Sequence, residues 1–200
     1  MTPVLVGMYD SPFVRRVAIS MQIYGIDYDH QNWSVFANQE AVGRMNPLGR
    51  VPALVISDDE VLVESSAILD YLDELAGPGR ALTPPSGADR RRVLQRSSMA
   101  TGACEKAVAI VYETQKRAPE YQDPAWLSRL QHQLARAVGW LDENIPAFSE
   151  PLDQSQLTSA VMVRFVDEYL PGHGLEWPRL QELSRRCEAT APFQAVPFSG

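Results

Sequence analysis

Residues 46–56 read Asn46-Pro47-Leu48-Gly49-Arg50-Val51-Pro52-Ala53-Leu54-Val55-Ile56. They combine a turn rich in Pro and Gly with an apolar run that starts directly after Pro52. A second apolar run, over 60–63, follows across the polar pair Asp58-Asp59. Two short apolar runs separated by a polar turn predict a β-hairpin. The sequence therefore predicts paired strands over 53–57 and 60–63, with a proline loop at their entrance.

The segments on either side of this hairpin predict alternating strands and helices. The apolar residues 3–9 end at Asp10-Ser11-Pro12, which predicts a buried strand and then a helix with proline in its first turn. Gly25 is the predicted stop of that helix. The remaining predicted elements are a strand over 28–32, a short helix over 39–44 and a helix from Ser65 to Gly77. This order, β-α-β, α, β-β, α, is that of a thioredoxin-like domain.

The second part of the chain predicts helices only. Residues 77–88 concentrate Pro and Gly and form the natural linker. Asp153 and Gln156 have the spacing of a capping box at a helix start. The predicted helices cover 89–117, 124–144, a segment from 153 onward and 175–190. The predicted fold class is thus α/β plus all-α, with a thioredoxin-like domain over 1–79 and an all-helical domain over 88–200.

Composition and charge favour a globular, cytoplasmic protein. The 200-residue chain is 45% hydrophobic with a formal net charge of −7, so it lacks the basic surface of a nucleic-acid binder. It shows neither a secretory signal nor an apolar stretch long enough to span a membrane. Cys104 and Cys187 lie outside any C-x-x-C motif, and His30, His132 and His173 lack metal-ligand spacing. We therefore expect reduced thiols, no metal, no nucleic acid and no membrane association.

Three short motifs lie far apart in the sequence, and together they resemble the motifs of one known protein family. They are Ser11-Pro12-Phe13 at the first strand–helix turn, Val51-Pro52-Ala53-Leu54 in the proline loop, and Glu64-Ser65 at a helix start. A helix start attracts carboxylates through its free backbone N–H groups and its dipole. In this order, and with residues 46–50 ahead of Val51, the motifs resemble the cytosolic glutathione transferases over residues 3–76.

The resemblance implies a role for each motif. The first turn carries the residue that activates the glutathione thiol, which makes Ser11 the candidate catalytic residue. The proline loop, with a cis bond before Pro52, pairs with the cysteinyl backbone of glutathione. The Glu64-Ser65 pair binds the γ-glutamyl end. The implied glutathione-binding residues are Phe13, Arg50, Val51, Pro52, Glu64 and Ser65, and such proteins are commonly homodimers.

Several of these residues have alternative interpretations. A hydroxyl that donates a hydrogen bond to a thiolate favours the charged, nucleophilic form, but Ser11 can also serve only as a helix N-cap. Tyr9 is the competing hydroxyl, although the register of tyrosine-type transferases falls near Gly7. Arg50 either reaches the glycyl carboxylate of glutathione or faces solvent. Arg15 and Arg16 are weaker candidates, because a helix usually points such residues at solvent.

The electrophile is expected to bind against side chains of the first long helix of the second domain. Candidate residues there are Cys104, Val108 and Tyr112, with Tyr9 from the first domain. Their alternative role is as core of the helical bundle. The sequence does not identify the electrophile.

The predicted function is that of a glutathione transferase, with glutathione as co-substrate and a small apolar electrophile as second substrate. Because position 11 is serine, disulfide exchange of the kind that Cys-Pro-Phe relatives perform is disfavoured. A glutathione-dependent isomerase, as in zeta-type relatives, and a non-enzymatic regulatory or scaffold protein of the same fold are the alternatives.

Overall fold

A computed structural model of the chain describes residues 2–198. These residues form two compact units. The first comprises residues 2–85 together with 189–198, and the second comprises residues 86–188. The second unit ends at residue 188, whereas the predicted helical domain extends to residue 200.

The first unit is a four-stranded sheet with helices, as predicted for a thioredoxin-like domain. The strand order is β2-β1-β3-β4, in which β1 and β2 are parallel and the other pairs are antiparallel. Leu5 at the centre of β1 stands opposite His30 on one side and Leu54 on the other. The elements are β1 (Val4–Val6), α1 (Pro12–Tyr24), β2 (Asp29–Gln31), α2 (Gln39–Met45), β3 (Ala53–Ser57), β4 (Glu60–Val63) and α3 (Ser65–Ala76).

Helix α1 is the centre of this unit. Every residue from 14 to 21 is buried, so the helix has no solvated face over this stretch. Gly25 ends it in the left-handed conformation, with φ of 67°, as the sequence predicted. The expectation that Arg15 and Arg16 face solvent is wrong, since they are only 1% and 2% exposed. A helix that is apolar nearly all round is buried, and its charged residues are buried with it.

The chain returns to the first unit at its C-terminal end. Helix α8 (Ala191–Gln194) packs against α1. The Arg15 Nε donates a hydrogen bond to the Val196 carbonyl oxygen at 3.1 Å, and the guanidinium lies 5.7 Å from the Phe193 ring centroid. Residues 189–198 therefore belong to the first compact unit, which the predicted boundary of 88–200 did not anticipate.

The linker after α3 is held by a partly buried polar cluster. The Tyr24 hydroxyl donates to the Asp73 carboxylate and accepts a hydrogen bond from the Leu82 N–H at 2.8 Å. An Arg80 guanidinium nitrogen donates to the Tyr24 carbonyl oxygen at 2.9 Å. These contacts fix residues 80–82 to both α1 and α3.

The second unit is helical throughout, and within the described residues no strand follows β4. Helix α4 packs against α5 and α6, and α6 packs against α7. The capping box at Asp153 is present as predicted, because its carboxylate accepts the N–H of Ser155 and of Gln156 while the Gln156 side chain accepts the N–H of Asp153. The elements are α4 (Gly87–Val111), a π-helical turn (Tyr112–Lys116), a 3₁₀ turn (Pro119–Tyr121), α5 (Pro124–Asn144), α6 (Gln154–Tyr169) and α7 (Pro178–Glu188). Among residues 2–198, no helix combines the length and the apolarity that crossing a bilayer would require.

Candidate functional site

Gly7, at the end of β1, lets three separate segments meet. Its φ is 131°, and a Cβ built there would lie 2.5 Å from Val14 Cγ2 and 2.8 Å from Val51 Cβ. Its N–H donates to the Gln31 carbonyl oxygen at 2.9 Å. Only glycine fits this close approach of β1, the first turn of α1 and the proline loop. The contact brings two of the three sequence motifs together.

Ser11 occupies the N-cap position of α1 but does not cap it with its side chain. Its backbone is extended, with φ of −68° and ψ of 122°, and its carbonyl oxygen accepts the Arg15 N–H at 2.9 Å. The side chain is half-buried and makes no capping hydrogen bond. The hydroxyl thus does not cap the helix, and it lies at the positive end of the α1 dipole.

Tyr9 has its hydroxyl engaged elsewhere. The Tyr9 and Tyr28 hydroxyl oxygens lie 2.9 Å apart, and the Tyr9 ring stacks on the His30 ring at a centroid distance of 3.9 Å. Burial and the hydrogen bond to Tyr28 raise the pKa of Tyr9 well above its ordinary value. The His30 Nε2 donates to the Gly7 carbonyl oxygen at 2.7 Å, so this cluster also supports the end of β1.

The proline loop is built around a buried asparagine. The Val51–Pro52 bond is cis, and Pro52 is buried while Val51 and Phe13 are half-buried. The Asn46 side chain is 1% exposed, donates to the Arg50 carbonyl oxygen at 3.0 Å and accepts the Leu48 N–H at 3.0 Å. Arg50 itself is exposed. A second cis bond, Glu150–Pro151, lies outside the three motifs and was not predicted.

Glu64 stands in a strained conformation at the start of α3. It is the one non-glycine residue with positive φ in the described chain, at φ of 65° and ψ of 122°. Its carbonyl oxygen accepts the N–H groups of Ala67 and Ile68, at 3.0 and 3.1 Å, and its side chain is exposed. Such a conformation costs about 1–3 kcal/mol and clusters at functional sites, where the surrounding structure enforces it.

A buried arginine lies behind this helix start. The Arg16 Nε donates to the Ser65 Oγ at 3.1 Å, and an Arg16 Nη donates to the Ser66 Oγ at 2.8 Å. The guanidinium therefore adds a fixed positive charge to the N-terminus of α3, where the helix dipole already favours anions. From the sequence, Arg16 ranked only as a weaker candidate, because its side chain was expected to face solvent, whereas it is buried. The signal available in the sequence was the apolar character of α1 on nearly every side.

The residues at the starts of α1 and α3 offer groups of different chemistry. Ser65 and the start of α3 offer donors to a carboxylate, and the exposed Glu64 carboxylate offers an acceptor to an ammonium group. Ser11 offers an unused hydroxyl at a helix N-terminus. Within residues 2–198, no group of three or more His, Cys, Asp or Glu side chains is placed to hold a metal ion.

The residues considered for the electrophile differ in exposure. Cys104 is 2% exposed, Val108 is half-buried, and Tyr112 is 42% exposed in the π-helical turn after α4. Tyr112 and Val108 present surface that a ligand can contact, whereas Cys104 packs in the core of the second unit.

Comparison with known proteins gives consistent matches. Residues 5–81 match the family "Glutathione S-transferase, N-terminal domain". The uncharacterized GST-like protein YibF of Escherichia coli is 31% identical over 138 residues, which cover 69% of this chain and 67% of YibF. A maleylacetoacetate isomerase of Pseudomonas aeruginosa is 29% identical over 208 aligned positions, covering 94% of this chain and 93% of that enzyme.

The fold comparison agrees with the sequence comparison. A crystal structure of a glutathione transferase family member from Pseudomonas fluorescens Pf-5, with bound glutathione, superposes with a TM-score of 0.89. It is 27% identical and covers 99% of this chain and 100% of its own. The site geometry, the family match and the extent of these similarities support one conclusion. The chain belongs to the glutathione S-transferase family.

Proposed function

We propose that this protein binds reduced glutathione and activates its thiol for attack on small apolar electrophiles. The observation that carries the proposal is the start of α3, where a strained, exposed Glu64 adjoins two serines held by the buried Arg16. The negative Glu64 carboxylate and the positive Arg16 guanidinium suit the γ-glutamyl group, which carries both an ammonium and a carboxylate.

The γ-glutamyl end is proposed to bind by charge and by hydrogen bonding together. The ammonium group of the ligand is placed against the Glu64 carboxylate. The α-carboxylate accepts hydrogen bonds from the Ser65 hydroxyl and from backbone N–H groups of the first turn of α3. Because Ser65 Oγ already accepts from Arg16, its own proton is polarised toward donation.

The cysteinyl part of the ligand is proposed to lie along the proline loop. There the Val51 N–H and C=O pair with an extended peptide as an added strand would. In this proposal Phe13 supplies an apolar wall, Pro52 shapes the loop, and the exposed Arg50 binds the glycyl carboxylate.

Ser11 is proposed to activate the thiol. Its hydroxyl donates a hydrogen bond to the thiolate, and the positive end of the α1 dipole further favours the anion, so the thiol pKa falls. The thiolate sulfur then attacks the electrophilic atom, while the leaving group or the developing carbanion takes up the displaced electron pair. Tyr9 is the second choice, because its hydroxyl is bonded to Tyr28 and its pKa is raised.

A glutathione-dependent isomerase is the second candidate function. The specific observation is the similarity to the maleylacetoacetate isomerase, which extends over 94% of this chain. The two activities share glutathione binding and thiolate attack, and they differ in whether glutathione leaves again.

We further propose a cytoplasmic homodimer with a role in detoxification, without metal, nucleic-acid or membrane partners. Val108 and Tyr112 are the proposed contacts of the electrophile in the second unit, and Cys104 is left out because it is only 2% exposed.

The test is calorimetric titration with reduced glutathione, followed by assays with halo-aromatics, epoxides, enones, peroxides and maleyl acids. We expect saturable binding at or below millimolar glutathione and turnover of at least one class. Binding without turnover of any class supports a regulatory or scaffold protein instead. The absence of binding at millimolar ligand contradicts the proposal. Sedimentation analysis at micromolar protein tests the homodimer.

A further inference from the structure

The turn that carries Ser11 runs from Gly7, just after β1, to the start of α1. Inside this turn, the Ser11 N–H donates a hydrogen bond to the Met8 carbonyl oxygen at 3.1 Å. Gly7 adds little rigidity of its own, because glycine populates many backbone conformations, of which this one has a φ of 131°. The position of Ser11 therefore depends on the contacts that other segments make with residues 7–9.

Strand β2 binds both polar backbone groups of Gly7. The Gly7 N–H donates to the Gln31 carbonyl oxygen at 2.9 Å, and the Gly7 carbonyl oxygen lies 2.7 Å from the His30 Nε2. A carbonyl oxygen can only accept, so the His30 Nε2 carries the proton of this hydrogen bond. Two consecutive residues of β2 thus hold the peptide units on both sides of Gly7, and a side chain holds the unit that leads into the turn.

The imidazole ring of His30 is itself held by Tyr9. The two rings are stacked, with their centroids 3.9 Å apart and an angle of 1° between their planes. The Tyr9 ring is in turn anchored at its far end, where its hydroxyl oxygen lies 2.9 Å from that of Tyr28. The stack restricts rotation of the imidazole ring, so the His30 Nε2 stays directed at the Gly7 carbonyl oxygen.

Two hydrogen bonds connect the His30 side chain to the backbone of Ser11. The first joins the His30 Nε2 to the Gly7 carbonyl oxygen, and the second joins the Met8 carbonyl oxygen, one peptide unit further along, to the Ser11 N–H. The Ser11 hydroxyl makes no capping bond that would fix it on its own helix. A hydrogen bond weakens steeply as its length and angle depart from the preferred values, so a small displacement of this turn would weaken any bond that the hydroxyl donates.

From this arrangement we propose that His30 is a positioning residue for thiol activation, because its bond to the Gly7 carbonyl oxygen places the Ser11 hydroxyl at the sulfur of bound glutathione. The inference rests on the proposed function, in which Ser11 activates the thiol. His30 does not touch the ligand in this scheme and acts only through the turn. The proposed contacts with the γ-glutamyl group, at Glu64 and Ser65, lie on a different element. His30 therefore affects the ionisation of the bound thiol rather than the affinity for the rest of the ligand.

The test compares variants of the full chain that separate the donor of His30 from its ring. His30→Phe keeps an aromatic ring without the donor, His30→Leu lacks both, and His30→Gln keeps an N–H donor. The residue is half-buried on an edge strand, so we expect all three variants to fold, as thermal unfolding would show. The readout is the pKa of the bound glutathione thiol, measured from the ultraviolet absorbance of the thiolate during a pH titration.

We expect this thiol pKa to rise by about one unit in His30→Phe and in His30→Leu, so that turnover at a pH below it falls about tenfold. His30→Gln should restore most of the loss. In a Ser11→Ala background, His30→Phe should cause no further rise, because its effect passes through Ser11. The Kd for S-methylglutathione, which has no thiol proton, should stay unchanged in every His30 variant.

The matched control is His132→Phe, the same substitution at an exposed position of α5, which should leave the thiol pKa unchanged. The inference is overturned if His30→Phe and His30→Leu leave the thiol pKa unchanged, if His30→Gln restores nothing, or if the shift persists without the Ser11 hydroxyl. An equal shift in His132→Phe, or a parallel loss of affinity for S-methylglutathione, would also overturn it. If the wild-type protein does not bind S-methylglutathione, the proposed function itself is contradicted, and this inference with it.

Discussion

Arg16 and Ser65, 49 positions apart in the chain, are joined by a buried hydrogen bond of 3.1 Å from the guanidinium Nε to the hydroxyl oxygen. Ser66 accepts a second bond from the same guanidinium. One charged side chain of α1 thus fixes both hydroxyl groups at the first turn of α3. Helix α1, which begins within the first motif, is thereby connected to the third motif through the interior of the domain.

Arg16→Lys tests whether this connection matters for the ligand. Lysine keeps the positive charge but lacks the planar fork that reaches both serines. We expect the Kd for glutathione to rise at least about tenfold, since the loss of one charge-assisted hydrogen bond costs about 1.5–3 kcal/mol and each 1.4 kcal/mol is tenfold in Kd. Titration calorimetry measures the affinity, and thermal unfolding of the same variant shows whether the fold is retained. An unchanged affinity would assign Arg16 a purely structural role.

Ser11→Ala tests the proposed thiol activation. Loss of a hydrogen bond to the thiolate raises the thiol pKa in the complex by about one to two units, because one pKa unit corresponds to about 1.4 kcal/mol. The thiolate is the reactive form, so the rate at neutral pH falls and the rising limb of the pH–rate profile moves to higher pH. Tyr9→Phe is the control and should leave that limb in place. A shift in Tyr9→Phe but not in Ser11→Ala would transfer the role to Tyr9.

Glu64→Gly and Glu64→Ala separate ligand binding from backbone strain. Both remove the carboxylate proposed to meet the ligand ammonium, so both should weaken glutathione binding to a similar extent. Only glycine adopts a φ of 65° without steric cost. We therefore expect the free energy of unfolding of the glycine variant to be about 1 kcal/mol higher than that of the alanine variant. Equal stabilities in denaturant titrations would show that the conformation at position 64 carries little strain.

Tyr24→Phe tests the cluster that holds the linker, and its effect depends on pH. Burial and the hydrogen bond to Asp73 raise the pKa of Tyr24 above its ordinary value of about 10. A raised pKa in the folded state favours the neutral form, so the resulting stability is present below pH 10 and is lost as pH rises above it. We expect the phenylalanine variant to be less stable by about 1 kcal/mol at pH 7 and to show a smaller decrease in stability between pH 9 and 11.

Much of the fold follows from local sequence patterns. Pro12 and Gly25 mark the two ends of α1, and the runs 53–57 and 60–63 match β3 and β4 residue for residue. The capping box at Asp153 was also predictable, because its spacing is local. In each case the determining interactions lie within a few residues of one another.

The features that the sequence did not predict depend on contacts between distant segments. The burial of Arg16 depends on Ser65 and Ser66, and the return of the C-terminal segment depends on Arg15. No local pattern encodes such pairs. The positive φ of Glu64 could not be predicted either, since the residue type gives no indication of it.

Gly7→Ala tests the close approach on which the proposed site depends. The added Cβ would lie 2.5 Å from Val14 Cγ2 and 2.8 Å from Val51 Cβ, and the φ of 131° is itself unfavourable for alanine. Overpacking costs about 1–3 kcal/mol and the backbone adds about 1–2 kcal/mol, so we expect a loss of about 3 kcal/mol in unfolding free energy. Glutathione affinity should also fall, because relief of the contact moves the proline loop away from the start of α1.

The control is Gly43→Ala in α2, where a Cβ meets nothing within 4 Å and helix propensity predicts a gain of about 0.5–1 kcal/mol. If Gly7→Ala were as stable as Gly43→Ala, the close approach of β1, α1 and the proline loop would not determine the geometry of the site.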